Sequence, residues 1–296
     1  MVSSEPVRYL ERTRTYYEAL GYAPYVWAKS GVVAFSPLKL PLSSCSVALV
    51  TTAAPYDPAK GDQGPRAAYN AAAKFYKVYS GSSSADPDIR ISHVAIDRTH
   101  TTAEDKNSYF PLAALHRAMG MGLIGRVAPR FHGLPTNRSQ RTTVEVDCVE
   151  LVNRMVEDRI DAAILVPNCP ICHQSCALAA NAFETAGIAT VLMGTALDIV
   201  EHVGVPRFLF SDLPLGNSAG RPNDLASQDQ TLAMALDLLI TATAPRTTKI
   251  SGLAWSDDPS WKQDYCNASR LSGAEILRLR AEFVTSRELA RQVRIG

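Results

Sequence analysis

Three cysteines fall within eight residues, Cys169, Cys172 and Cys176, in the run NCPICHQSC. They follow the apolar segment AAILV and precede a helix-forming run, ALAANAFETAG. A thiol between a strand and a helix meets the free N–H groups and partial positive charge of the helix start. Both lower a thiol's pKa and supply thiolate near neutral pH. The Cys-x-x-Cys spacing adds a second sulfur that can resolve a covalent or oxidised intermediate. Cys169, the outermost, is the candidate nucleophile and Cys172 its resolving partner. Cys176 lies one helical turn past Cys172 and could face the same way.

The same residues admit other chemistry. Cys169, Cys172 and Cys176, with His173 or a more distant fourth ligand, could hold an iron–sulfur cluster or zinc. Cys169–His173 also spells Cys-x-x-Cys-His, the haem-attachment pattern, but without an export signal the match is taken as chance. Other polar groups could complete a site. His93, Asp97, His100, Glu104, Asp105 and Asn107 crowd one stretch, where an acid, a base or a substrate anchor could lie. Helix-start capping explains part of it equally well. In RFHGLPTNRS, His132 and Arg138 are candidates, Arg138 for a bidentate grip on a carboxylate. PLGNSAGRP contributes Asn217 and a tight turn near the substrate, with no Walker or dinucleotide pattern. Trp255, Trp261 and Tyr265 read as packing of the tail onto the body.

The elements that must position these groups alternate. A helix is expected over 4–20, strands over 45–54 and 89–96, and helices over 109–119 and 144–160. There follow a strand at 162–166, the cysteine loop at 168–176 and a helix at 175–186. Further strands are expected at 188–193 and 207–210, and helices at 198–203 and 225–242. Strand, loop and helix in alternation is the signature of a parallel sheet covered on both faces. The pattern occurs twice, so the expected architecture is α/β. It has an N-terminal arm (1–44), a first lobe (45–143), a second lobe carrying the cysteines (144–245) and a tail (246–296). Two similar lobes with mostly parallel sheets flanked by helices would enclose an active-site cleft.

Composition narrows the function classes. The chain has 296 residues, 46% hydrophobic and 20% charged, with 30 Lys+Arg against 29 Asp+Glu. That balance suits a globular chain and lacks the basic field that holds a nucleic-acid backbone. No apolar run is long enough to span a bilayer. The charged N-terminal segment lacks a signal peptide's apolar core, so the cytoplasm is the expected compartment and the six cysteines are expected to be reduced or reactive.

With these pieces in place, the chain resembles the selenoprotein B family of glycine, sarcosine and betaine reductases, which is related to the proline reductase subunit. The resemblance covers most of residues 45–222. It rests on VALVTTAA, ISHVAIDRTHTTAEDKNSYFPL, GLIGRVAP, the cysteine loop followed by ALAANAFETAGIATVLM, and PLGNSAGRP, in that order. In that family a selenocysteine stands three residues before a cysteine, in a loop equivalent to NCPIC. The resemblance thus implies a nucleophile at Cys169, in the selenocysteine position, and a substrate-binding role for the His93–Asn107 segment. It also implies attack on a carbon bearing an amine, cleavage of the C–N bond and transfer of the carbon fragment to a partner. Sulfur in place of selenium makes a poorer nucleophile and leaving group; Cys176 and His173 lie outside the family pattern.

The expected function is a thiol-dependent reductase that cleaves a C–N or similar C–X bond of a small amine- or carboxylate-bearing substrate. An external thiol or thioredoxin would restore the dithiol, a carrier protein is a possible partner, and a homo-oligomer is expected. Two alternatives stand beside it. One is an iron–sulfur or zinc-binding subunit. The other is an isomerase resembling Asp/Glu racemases, which needs a thiol from each lobe and would call on Cys45.

Overall fold

A computed structural model describes residues 5–295 apart from Ala68, Ser92, Val94, Asn137 and Arg138. The strands are β1 (Ser46–Thr51), β2 (Ala54–Pro55), β3 (Tyr79–Ser82), β4 (Ile89–Arg90), β5 (Arg126–Val127), β6 (Arg130–Gly133), β7 (Ala162–Val166), β8 (Ala189–Gly194), β9 (Arg207–Asp212) and β10 (Thr247–Ala254). The helices are α1 (Tyr9–Ala19), α2 (Leu112–Gly120), α3 (Gln140–Thr142), α4 (Cys148–Glu157), α5 (Pro170–Thr185), α6 (Leu197–Val203), α7 (Leu225–Thr241) and α8 (Gly273–Ile295). A π turn, Thr143–Asp147, joins α3 to α4.

Eight strands form one sheet in the order β10-β9-β8-β7-β1-β6-β3, with β5 also on β1. It is parallel except for β3, which runs against β6. The mixed α/β architecture with a mainly parallel, helix-flanked sheet is as expected. The strands of the two lobes, however, join that single sheet, because β1 pairs along its length with β7, from Val47 opposite Ala162 to Thr51 opposite Val166. Both strands are continuously apolar in their interiors and buried on both faces, so each needs a neighbour on either side. The core lies in two layers, one with Leu49, Leu115 and Leu236, the other with Leu165, Phe183 and Phe208. Full burial of one such side chain contributes about 1.5–3 kcal/mol.

Three local differences from expectation have identifiable causes. Among the described residues of the expected 89–96 strand, Ile89–Arg90 alone pair, antiparallel with β2 in a separate ribbon. Beyond it, main-chain groups find other partners: Arg98 donates to the His93 carbonyl at 2.6 Å, and Asp97 N–H to Leu215 at 3.1 Å. The tail adds β10, an edge strand whose mixed burial and positive-φ Gly252 hide it from a search for apolar runs. Most consequential, α5 begins at Pro170, so the expected cysteine loop is the first two turns of a helix. Proline suits the first helical position because it has no N–H to leave unpaired and its φ is already helical.

The N-terminal arm is stitched to the body by a buried ion pair. Arg207 and Glu184, both fully buried, meet at 2.8 Å. Glu184 also accepts N–H from Ser36 and Thr190, and Arg207 donates to the Ser36 carbonyl and stacks on Phe35 at 4.2 Å. Among the described residues no helix is long and apolar enough to cross a membrane.

Candidate active site

The parallel order places β1 and β7 side by side. From β1 the chain proceeds to β5 and β6 on one side; from β7 it proceeds to β8, β9 and β10 on the other. The strand order therefore reverses between β1 and β7. In open α/β sheets the loops leaving such a point diverge and open a crevice at the strands' C-terminal ends. Thr52 leaves β1 there, and Asn168 and Cys169 leave β7.

Cys169 is the N-cap of α5, its sulfur accepting the Cys172 N–H at 3.3 Å. Thr52 is tied across the switch point: its hydroxyl oxygen accepts both the backbone N–H and the side-chain amide of Asn168, each at 3.1 Å. Its own proton is left to bond the Cys172 sulfur. His93 completes the cluster. A ring nitrogen of His93 and the sulfurs of Cys169 and Cys172 lie within 4.8 Å of one another, all buried. Among the described residues its Nδ1 has no hydrogen-bond partner.

Cys172 is fully buried, while Cys169 retains 5% exposure and lines a cavity of about 510 Å³. Burial alone would raise both thiols. At Cys172 this is outweighed by hydrogen bonds from Cys169, His93 and Thr52 and by the charge of His93, which hold it well below the ordinary thiol range. Cys169 is held well above that range by burial, then by its hydrogen bond to Cys172 and that neighbour's negative charge, against the pull of the Cys172 N–H and Lys74. Of the two sulfurs, the one that faces the cavity, Cys169, is the raised thiol, and the deeper one, Cys172, is the lowered thiol.

His173 and Cys176 do not join them. His173 is fully buried; its Nδ1 donates to the Cys169 carbonyl at 2.8 Å, and its Nε2 accepts the N–H groups of Thr195 and Ala196 at 3.0 and 3.2 Å. These bonds require the neutral ring, and burial pushes its pKa down to about 4. Cys176 packs into the core with Ala163, Leu165 and Phe183, and burial raises its pKa. The three-cysteine metal set is thus corrected. Cys176 turns toward the sheet while the helix start faces the crevice, and His93 takes the third position. Two thiols and an imidazole suit zinc with an open position; a four-iron cluster calls for more thiolates than converge here.

Of the other expected substrate-binding residues, His93 alone lines the cavity among those described. Asp97 and His100 instead anchor the tail, with His100 bridging Asp97 at 3.1 Å and Asp264 at 3.2 Å. Asp105 is a knot, accepting from Asn107 N–H, Asn223 N–H and Gln228 at 3.0, 2.8 and 2.7 Å. Asn107 belongs to the same knot through its side-chain amide. Asn217 donates to Thr101 at 2.7 Å, and Gly216 (φ +108°) leaves room for Thr101, whose methyl would sit 2.7 Å from an added Cβ. His132 is fully buried on β6, bonded to Ser80 at 2.8 Å. Arg138 lies outside the described residues. Asp97 and Asp105 accept from loop N–H groups and Asn217 donates to loop acceptors, so their polarity serves the fold. Cys45 sits at the N-terminal end of β1, about 20 Å of strand from the crevice, so it is not the second thiol of the isomerase alternative; the other thiol on the cavity wall is Cys266 of the tail. Trp255 and Trp261 pack with Tyr9 and Tyr265 as expected.

The cavity's remaining wall comes from segments that carried no motif. Gln174 on α5 accepts the Ala28 N–H at 2.7 Å and donates to the Tyr25 hydroxyl at 2.8 Å, fixing Tyr25 and Trp27 over the opening. Tyr17 and Arg14 come from α1, Tyr69 and Lys74 from the segment after β2, and Tyr265 and Cys266 from the tail. Burial pushes Cys266 up to about 12. No sequence motif marks Tyr25, Trp27, Lys74 or Thr52.

No protein-family model matches the chain, and no solved structure matches it. Among characterised proteins, the D-proline reductase subunit gamma of Acetoanaerobium sticklandii is 27% identical over 208 residues, which is 70% of this chain and 83% of that protein. By sequence, the chain is related to a subunit of a reductase.

Proposed function

We propose that the protein is a thiol-dependent reductase in which Cys169 attacks a carbon–heteroatom bond and Cys172 resolves the product. The observation that carries this is the geometry of the pair: Cys169 caps α5 and faces the cavity, with the buried Cys172 and a ring nitrogen of His93 within 4.8 Å of it. The Cys169 proton passes to Cys172 along their shared hydrogen bond. The Cys169 thiolate then attacks the substrate carbon; the C–S bond forms, the C–X bond breaks and X leaves with the electron pair, protonated by Cys172. Cys172, a thiolate again, attacks the Cys169 sulfur. The S–S bond forms, the S–C bond breaks, and the carbon takes the electron pair and a proton from His93 or water. The substrate gains two electrons, the thiol pair becomes a disulfide, and an external dithiol such as thioredoxin reduces it.

D-proline, named by the relative, is the first substrate to test, with sarcosine and betaine beside it. On anaerobically reduced protein, turnover leaves a Cys169–Cys172 disulfide visible by peptide mass spectrometry. Cys172→Ser accumulates the substrate carbon as a thioether on Cys169, and Cys169→Ser does neither. Chloroacetate, whose C–Cl bond is activated, supplies a general probe of the first step. Failure of chloroacetate either to label Cys169 or to leave a Cys169–Cys172 disulfide in the reduced, unaltered protein overturns the mechanism. A second reading, zinc held by His93, Cys169 and Cys172, is favoured by their convergence. It predicts stoichiometric zinc after purification and labelling only after chelation.

A further inference from the structure

The cavity above Cys169 is larger and more aromatic than an amino acid of proline's size requires. Its volume of about 510 Å³ falls within the roughly 300–1,000 Å³ that encloses drug-sized ligands. Five aromatic side chains, Tyr17, Tyr25, Trp27, Tyr69 and Tyr265, face it. Tyr25 and Trp27 stand edge to face at 4.9 Å, forming an apolar corner whose faces a flat body can pack against, and Gln174 holds Tyr25 in place.

The sign of the charge within it is also defined. Glu11 is the acidic residue of the lining, and Arg8 pairs with it at 3.5 Å. Arg14 and Lys74 are the basic residues. Lys74 stands at the sulfur end: its charge acts on Cys169, and its Nζ donates to the Thr136 carbonyl at 3.1 Å. Its Nζ also stands 5.2 Å from the Tyr76 ring centroid, and a carboxylate approaching Cys169 meets this positive charge on the cavity wall.

We infer that the substrate is a carboxylate with an aromatic or similarly flat apolar body, its carboxylate at Lys74 beside Cys169 and its body between Trp27, Tyr25 and Tyr69. The inference rests on Cys169 as the attacking sulfur for its reaction, but the binding it predicts does not need the thiol. A small aliphatic acid leaves the aromatic corner to water, and an aromatic cation meets Lys74 and Arg14 with the wrong sign.

Isothermal titration of the reduced protein with sodium phenylacetate, sodium acetate and 2-phenylethylammonium chloride tests the binding. Phenylacetate binds at least tenfold tighter than either of the others. Lys74→Met and Trp27→Ala each weaken it at least tenfold, while Lys77→Met, at an exposed position three residues away, leaves it unchanged. Equal binding of acetate or of the phenylethylammonium ion overturns the inference, as does indifference to both Lys74→Met and Trp27→Ala. Alkylation of Cys169 by iodoacetamide, in which the sulfur displaces iodide from carbon, then separates the two readings. Saturable protection by phenylacetate supports both. Binding of phenylacetate with Cys169 inert to iodoacetamide keeps the substrate class and overturns the thiol mechanism. Ready alkylation without phenylacetate binding does the reverse.

Discussion

At the scale of single residues, the pair works because neighbours decide which sulfur is charged. Cys172 lies deep enough that burial alone would keep its proton, and three hydrogen bonds reverse that. The Thr52 hydroxyl is the most separable of the three, since its oxygen is already occupied by Asn168 and its proton is directed at the sulfur. A hydrogen bond to a charged group is worth about 1.5–3 kcal/mol, or about one to two pKa units. Thr52→Val should therefore move the iodoacetamide pH profile of the pair alkaline by at least about one unit, with the labelled residue still Cys169. An unmoved profile would leave the Cys172 charge without its explanation. Cys-x-x-Cys and its place after a strand were legible in the sequence. Thr52 was not, because 116 residues of chain separate it from Asn168, and the parallel pairing of β1 with β7 brings the two together.

At the scale of elements, α5 is the part that aims the site. Its start is fastened by Cys169 as cap, by Pro170 and by His173, which bridges the helix to the turn after β8. An added Cβ on Gly194 would stand 2.8 Å from the His173 ring, so that glycine is needed for close approach. His173→Phe leaves the buried N–H groups of Thr195 and Ala196 without the ring nitrogen they donate to, each costing about 1–3 kcal/mol, while the Cys169 carbonyl keeps the backbone N–H of residue 173. The expected outcome is a loss of at least about 2 kcal/mol in urea unfolding, together with slower Cys169 alkylation as the helix start shifts. The sequence showed a histidine beside two cysteines, which invited a ligand role. The orientation of its ring away from the sulfurs follows from the helical register and from β8, neither of which local spacing reports.

At the scale of the whole molecule, two buried histidines tie stability to pH. His132 and His173 are both held neutral, burial pushing each pKa down to about 4 from an ordinary value near 6.5. As pH falls from about 6.5 to 4, the unfolded chain binds these protons and the folded one does not. Their stabilisation is full above about 6.5 and lost toward 4, on the order of 3 kcal/mol per ring. Asp97 and Glu184, raised by burial, act in the opposite sense. The histidine part is therefore read as a difference: the urea midpoint of His132→Asn should fall less between pH 7 and 5 than that of the unaltered protein. An identical fall would mean that His132 is not the buried neutral group described.

The α/β class, the order of most elements and the closeness of Cys169 and Cys172 could be read from the chain alone, because apolar periodicity and Cys-x-x-Cys spacing are local properties. What completes the site is not local. The reversal of strand order between β1 and β7 opens the crevice, the turn of Cys176 into the core removes it from the sulfur cluster, and the fall of α1, Trp27, Lys74 and Tyr265 around Cys169 builds the cavity. Each depends on which distant surfaces bury one another. That is settled by packing the sheet and its covering segments as a whole, and no run of neighbouring residues encodes it.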